Sequence, residues 1–217
     1  SDASLKDGEG WSTKPAISFS CGEFFEKAFD FNQTLTALPA GTYQFKGQAF
    51  QRPGNTEDVY KAFTAGQDNV NVVIYAGDEE AKIQNIAAEA QTKKLGGSET
   101  AVGSNPTRYV PNNMRAASFY FAAELYDNGV VTQLDEDDSK MKVGMRCEEV
   151  QAAYWTIFDN FRLYYYGTMS PDQVTSIRQT VADKAQLDGL FATPADVYSL
   201  SGIRVRQQAT SLDGLPQ

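Results

Sequence analysis

Histidine is absent from all 217 positions, so the residues able to do chemistry here are aromatic, amide, guanidinium and carboxylate groups. That absence removes every His-based catalytic triad and every His metal site. Two cysteines, Cys21 and Cys147, lack metal-ligand spacing and are too few for a disulfide framework. A single bridge between them and two small buried strand residues are both compatible with the pattern. Asp and Glu total 28, so a facing pair for glycoside hydrolysis exists by number, yet none stands out by position. A G-x-S-x-G elbow, a phosphate loop and a dinucleotide fingerprint are all missing. The chain therefore reads as a non-catalytic protein, and recognition is the chemistry left to it.

Two sets of residues suit recognition. If consecutive antiparallel strands send their connections alternately to opposite ends, then Trp11, Arg108, Tyr109, Tyr154 and Trp155 gather at one end of the fold. Aromatic rings stack on the apolar faces of pyranoses, and Arg, Asn and Gln hydrogen-bond their hydroxyls, so this set suits a sugar. Trp155, which opens a series of inward-facing residues, equally reads as a core plug. The second set is a sheet face: Gln44, Gln48, Phe50 and Arg52 on one strand, Arg162 and Tyr164 on another, with Tyr60 overhanging Arg52 from a loop. On a concave sheet these line a shallow cleft. On a flat one they form an ordinary solvated face.

The elements that must position them are mostly strands. In "GTYQFKGQAFQR", Tyr43, Phe45, Gly47 and Ala49 face one way and Gln44, Lys46, Gln48, Phe50 and Arg52 the other. The preceding "KAFDFNQTLT" alternates likewise, and "LPAG" between them predicts a hairpin. "AISFS", "NVNVVIYAG", "GVVTQL" and "KMKVGMRCE" predict further strands. In "YWTIFDNFRLYYYG", Trp155, Ile157, Phe161, Leu163 and Tyr165 share one face, interrupted by Asp159. "NNMRAASFYFAAELY" places Met114, Ala117, Phe121, Ala122 and Leu125 at helical spacing after two Asn residues able to cap, which predicts a short crossing helix. The stretch ahead of it, "AEAQTKKLGGSETAVGSNPTRYVP", has no periodicity and reads as a long functional loop. Beyond Gly167 the pattern predicts a helix after Ser170 and Pro171, then the strand "DVYSLSGIRV". The expected division is 1–167 and 168–217. Short strands with turn signals between them predict an all-β fold, an antiparallel β-sandwich with a C-terminal helix and strand appended.

The formal charge of −9 leaves no basic footprint for nucleic acid, and no apolar run approaches the roughly 20 residues of a transmembrane helix. "FDFNQTLTALPAGTYQFKGQAFQR", "YVPNNMRAASFYF" and "WTIFDNFRLYYYG" together resemble a galactose-binding-like jelly-roll domain, of carbohydrate-binding-module type, found in surface and secreted proteins of gut Bacteroidetes. The likeness spans roughly residues 10–167, and the tail "DVYSLSGIRVRQQATSLDGLPQ" resembles the start of the C-terminal sorting segment of such proteins. The resemblance implies a polysaccharide or oligosaccharide partner, neighbouring domains of a larger protein, and an extracellular or outer-membrane cell-surface location. It also implies a structural calcium near the last sandwich strand. Asp159, an acid on an otherwise apolar face, fits such an ion, with Glu23 or Glu26 as partners, and equally fits a carboxylate that accepts backbone hydrogen bonds. The alternative to a binding module is a structural or protein-interaction domain, and a third reading is an accessory or catalytic part of a glycoside hydrolase.

Overall fold

A computed structural model describes residues 10–176 and the strands at 195–198 and 204–209. The chain divides into two compact units, Ser1–Thr168 and Met169–Gln217. The second unit contributes a helical segment at 171–176 and an antiparallel pair, Ala195–Tyr198 with Arg204–Ala209.

The first unit is mostly antiparallel β-sheet. One sheet runs in the order β1 (Ala16–Ser18), β2 (Cys21–Phe25), β12 (Tyr154–Tyr165), β4 (Gly41–Pro53) and β10 (Asp127–Leu134). The two-residue β7 (Gln84–Asn85) extends this sheet by pairing in parallel with Phe50 and Gln51. The other sheet runs β3 (Phe29–Leu38), β11 (Ser139–Cys147), β5 (Val73–Ala76) and β6 (Glu79–Lys82). A separate hairpin, β8 (Glu99–Val102) with β9 (Arg108–Pro111), arises in the stretch expected to be an aperiodic loop. Two helices, α1 (Thr56–Thr64) and α2 (Met114–Ala122), complete the unit. Among the described residues no helix is long and apolar enough to cross a membrane.

The alternation in β4 sorts its residues between two apolar clusters. Tyr43, Phe45 and Ala49 enter an inner cluster with Phe31, Ile74, Val143 and Met145 of the other sheet. Phe50, from the opposite face, enters an outer cluster with Tyr120 and Phe121 of α2, Trp155 and Ile157. β4 is thus covered on both sides rather than half exposed. Burial of each such aromatic contributes about 1.5–3 kcal/mol.

Two expectations of connectivity are overturned. β3 and β4 do not form a hairpin, because β3 pairs with β11 and β4 with β12 and β10. The "LPAG" segment is instead a corner that carries the chain from one sheet to the other. Gly41 sits there at φ 140°, and a Cβ on it would lie 2.5 Å from the carbonyl oxygen of Gly167. The acidic loop after β10 makes a second such corner, and Asp137 Oδ1 accepts a hydrogen bond from Ala40 N at 2.8 Å, tying the two together. Phe161, meanwhile, does not share a face with Trp155. A one-residue bulge between Asp159 and Arg162, with Asn160 at φ 54°, reverses the facing of everything after it. Phe158 and Phe161 both point into the inner cluster, while Trp155 and Ile157 belong to the outer one.

Helix α2 starts where its caps predict. Asn113 Oδ1 accepts from Ala116 N at 2.8 Å, and Ala116, Ala117, Tyr120 and Phe121 form its buried side. Helix α1 occupies a stretch expected to be loop, although Val59, Ala62 and Phe63 recur there at helical spacing; Val59 is its one buried residue.

Candidate functional site

A groove of about 410 Å³ opens on the outer face of the larger sheet, between the β1–β2 turn and the start of α2. Its floor is Trp155, which is 4% exposed and packs edge-on against Phe50. Trp155 Nε1 donates to Glu23 Oε2 at 2.7 Å, so the indole is fixed in both position and roll. Arg52 is its cross-strand neighbour in the β12–β4 register, and the guanidinium lies 5.1 Å above the indole ring. Burial pushes the Arg52 pKa below its ordinary value by desolvation. Nη2 reaches only Ala153 O, at 3.4 Å, and Nε is buried without a hydrogen-bond partner.

The walls are aromatic on one side and polar on the other. Phe25 pairs with Trp155 across β2 and β12 and is 52% exposed. Phe19 and Ser20 are the two central residues of the tight β1–β2 turn, both in the left-handed region at φ 52° and φ 65°. Such turns favour Asn and Gly there, and a bulky residue is strained. The strained Phe19 is 56% exposed, so its ring is displayed to solvent at the groove rather than packed. Arg115, in the first turn of α2, reaches over the Phe19 ring at 6.0 Å, and Asn112 and Asn113 complete the polar wall.

The first expected set of residues is divided. Trp11 stacks on Phe31 at 4.2 Å and 4° and leans on Phe161, so it caps the inner cluster. Its segment lies along β3, with Ser12 N bonded to Asn32 O at 2.8 Å, and not at the end where Trp155 stands. Tyr109 is bonded on the hairpin to Gln91, and Lys94 lies over its ring at 5.5 Å. Arg108 pairs with Val102 on the same hairpin, and Tyr154 pairs with Pro53. Of this set, Trp155 alone lines the groove.

The second set is divided as well, with Gln48 and Arg162 lining a separate cleft of about 450 Å³ beside Lys46, Asp127 and Asn160. Phe50 is fully buried, and Gln48 Nε2 donates to the carbonyls of Phe121 and Leu125 at 2.8 and 2.9 Å, where it holds the end of α2 against the sheet. Gln44 is buried as well, and Tyr60 packs beside Gly103 against the outer cluster. Arg162 is ion-paired with Asp127, and Tyr164 is exposed beyond the bulge. Arg52 alone from this set lines the groove.

Each of the three carboxylates expected around calcium accepts from a protein donor. Glu23 takes the indole N–H, Glu26 Oε1 takes Ala153 N at 2.6 Å, and Asp159 Oδ1 takes Asn160 N at 2.8 Å. Asp159 thereby steadies the bulge, which accounts for an acid at that position. Among the described residues no group of three or more His, Cys, Asp or Glu is placed to hold a metal ion. Cys21 and Cys147 are free thiols in different clusters, so no bridge joins them. Burial, helped by the charges of Asp159 and Glu23, pushes the Cys21 thiol up to about 12, which leaves it inert.

Phe19, Phe25, Asn112, Asn113 and Arg115 were not legible as site residues. "SFSCG" carries no Asn-Gly or Asp-Gly turn signal, and the two Asn residues read as caps. Compared with protein-family models, with curated proteins and with solved structures, the chain matches none.

Proposed function

We propose that the first unit is a non-catalytic carbohydrate-binding module of a secreted or cell-surface bacterial protein, and that the groove over Trp155 is its sugar site. The observation that carries this is the pairing of displayed rings, Phe19 and Phe25, with guanidinium and amide donors across a groove of about 410 Å³. Ring faces take the apolar side of a pyranose while Arg52, Arg115 and the two Asn residues take its hydroxyls. Volume falls within the range of about 300–1,000 Å³ usual for small-ligand clefts. Two antiparallel sheets with one apolar cluster between them support a jelly-roll, galactose-binding-like sandwich, the architecture that the quoted sequence phrases resemble. Binding is weak per site and gains strength from multivalency on a polymer.

A second reading has one specific observation in its favour. Phe19 and Phe25, both exposed beside the groove, form an apolar patch that also suits a neighbouring protein domain. A glycan array probed with the multimerised chain separates the two. The expected result is a saturable signal competed by the free sugar. No signal across plant, host and microbial glycans overturns the module and favours the docking surface.

A further inference from the structure

Resting on the sugar-site reading, we infer that the groove selects an acidic glycan and holds the carboxylate of a uronic acid residue between Arg52 and Arg115. Arginines elsewhere on the two sheets are neutralised: Arg146 pairs with Glu80 and Glu148, and Arg162 shares Asp127 with Lys46. Arg52 and Arg115, like Arg108 on the β8–β9 hairpin, form no ion pair with any described residue, although the chain carries 28 acids against 19 bases, and these two alone of the three line the groove.

How each guanidinium is held explains what it offers. Arg52 and Arg115 are engaged through aromatic rings, with Trp155 beneath one and Phe19 beside the other. Contact with a ring consumes no N–H donor, and the Arg115 guanidinium donates to no described residue, so its fork remains for a carboxylate. Arg52 Nη2 makes one long bond, to Ala153 O at 3.4 Å, so the terminal nitrogens are the donors that Arg52 offers to an incoming carboxylate. Glu23 is the one acid lining the groove, and its carboxylate is tied to the Trp155 indole. The start of α2 adds partial positive charge and has no acidic residue in its first turn.

The test is calorimetric titration of the full chain with oligogalacturonate, oligoglucuronate and alginate oligosaccharides, each alongside its carboxyl-reduced neutral counterpart of the same linkage. The expected result is saturable binding to at least one acidic oligosaccharide and at least tenfold weaker binding to its reduced form. Binding should also weaken as salt rises. Arg115→Gln, at an exposed position, and Arg52→Lys, which keeps the charge but loses the fork, should each weaken the acidic ligand about tenfold, the scale of one lost charge-assisted hydrogen bond. Equal affinity for acidic and reduced forms, or binding confined to neutral glycans, overturns the uronate assignment and leaves the sugar site standing. Absence of binding to any glycan, acidic or neutral, overturns both.

Discussion

The two tryptophans of this chain occupy contrasting places. Trp11 lies flat on Phe31 and closes the inner cluster, whereas Trp155 closes the outer cluster from below and forms the floor of a groove. Their polar ends differ too. Trp11 Nε1 is buried without a partner, while Trp155 Nε1 is held by Glu23. The contrast teaches that aromatic content alone does not mark a binding surface. In the proposed reading, the mark is a ring fixed by a polar partner and flanked by exposed rings and free donors.

The contrast can be broken most forcefully at Trp155. Trp155→Ala removes a buried indole that packs on Phe50 and strips Glu23 of its donor, so a loss of about 3–5 kcal/mol in unfolding free energy is expected. Glycan binding should vanish with it, as denaturant titration and calorimetry together will show. Trp11→Ala should cost less, about 1.5–3 kcal/mol, because its ring is only partly buried, and the folded fraction should bind as before. Loss of binding in folded Trp11→Ala would mean that the two ends are coupled after all.

Tyr126 tests the outer cluster from its other side. Its hydroxyl donates to Ile86 O at 2.7 Å, and burial, then the neighbouring Tyr120 and Glu89, raises its pKa well above the ordinary value. A folded-state pKa above the unfolded one means that stability is complete below about pH 10 and falls as pH rises beyond it. Tyr126→Phe should cost about 1–2 kcal/mol at neutral pH by orphaning the carbonyl and should flatten the alkaline decline. A pH series of thermal midpoints checks both parts.

Much of the fold could be read in the sequence and much of the site could not. The alternation in β4 and the Asn113 cap of α2 were legible because each is a local pattern with a local cause. The "LPAG" corner was misread because Pro and Gly announce a reversal without saying which sheet receives the next strand. The facing of Phe161 was misread because one extra residue at Asn160 flips a period-two pattern, and nothing in "FDNF" signals a bulge. Phe19 was missed for a related reason, since the sequence carries no sign that a bulky residue will occupy a left-handed turn position.

That strained turn provides the smallest energetic effect and the sharpest test. Phe19→Gly removes the displayed ring and at the same time relieves a left-handed backbone, so stability should rise by about 1 kcal/mol. The measurement is calorimetric titration of an array-identified glycan into wild type and Phe19→Gly, with thermal midpoints recorded on the same samples. A raised midpoint with affinity reduced at least tenfold is the expected result. Unchanged affinity in the more stable variant would contradict the placement of the sugar site in this groove.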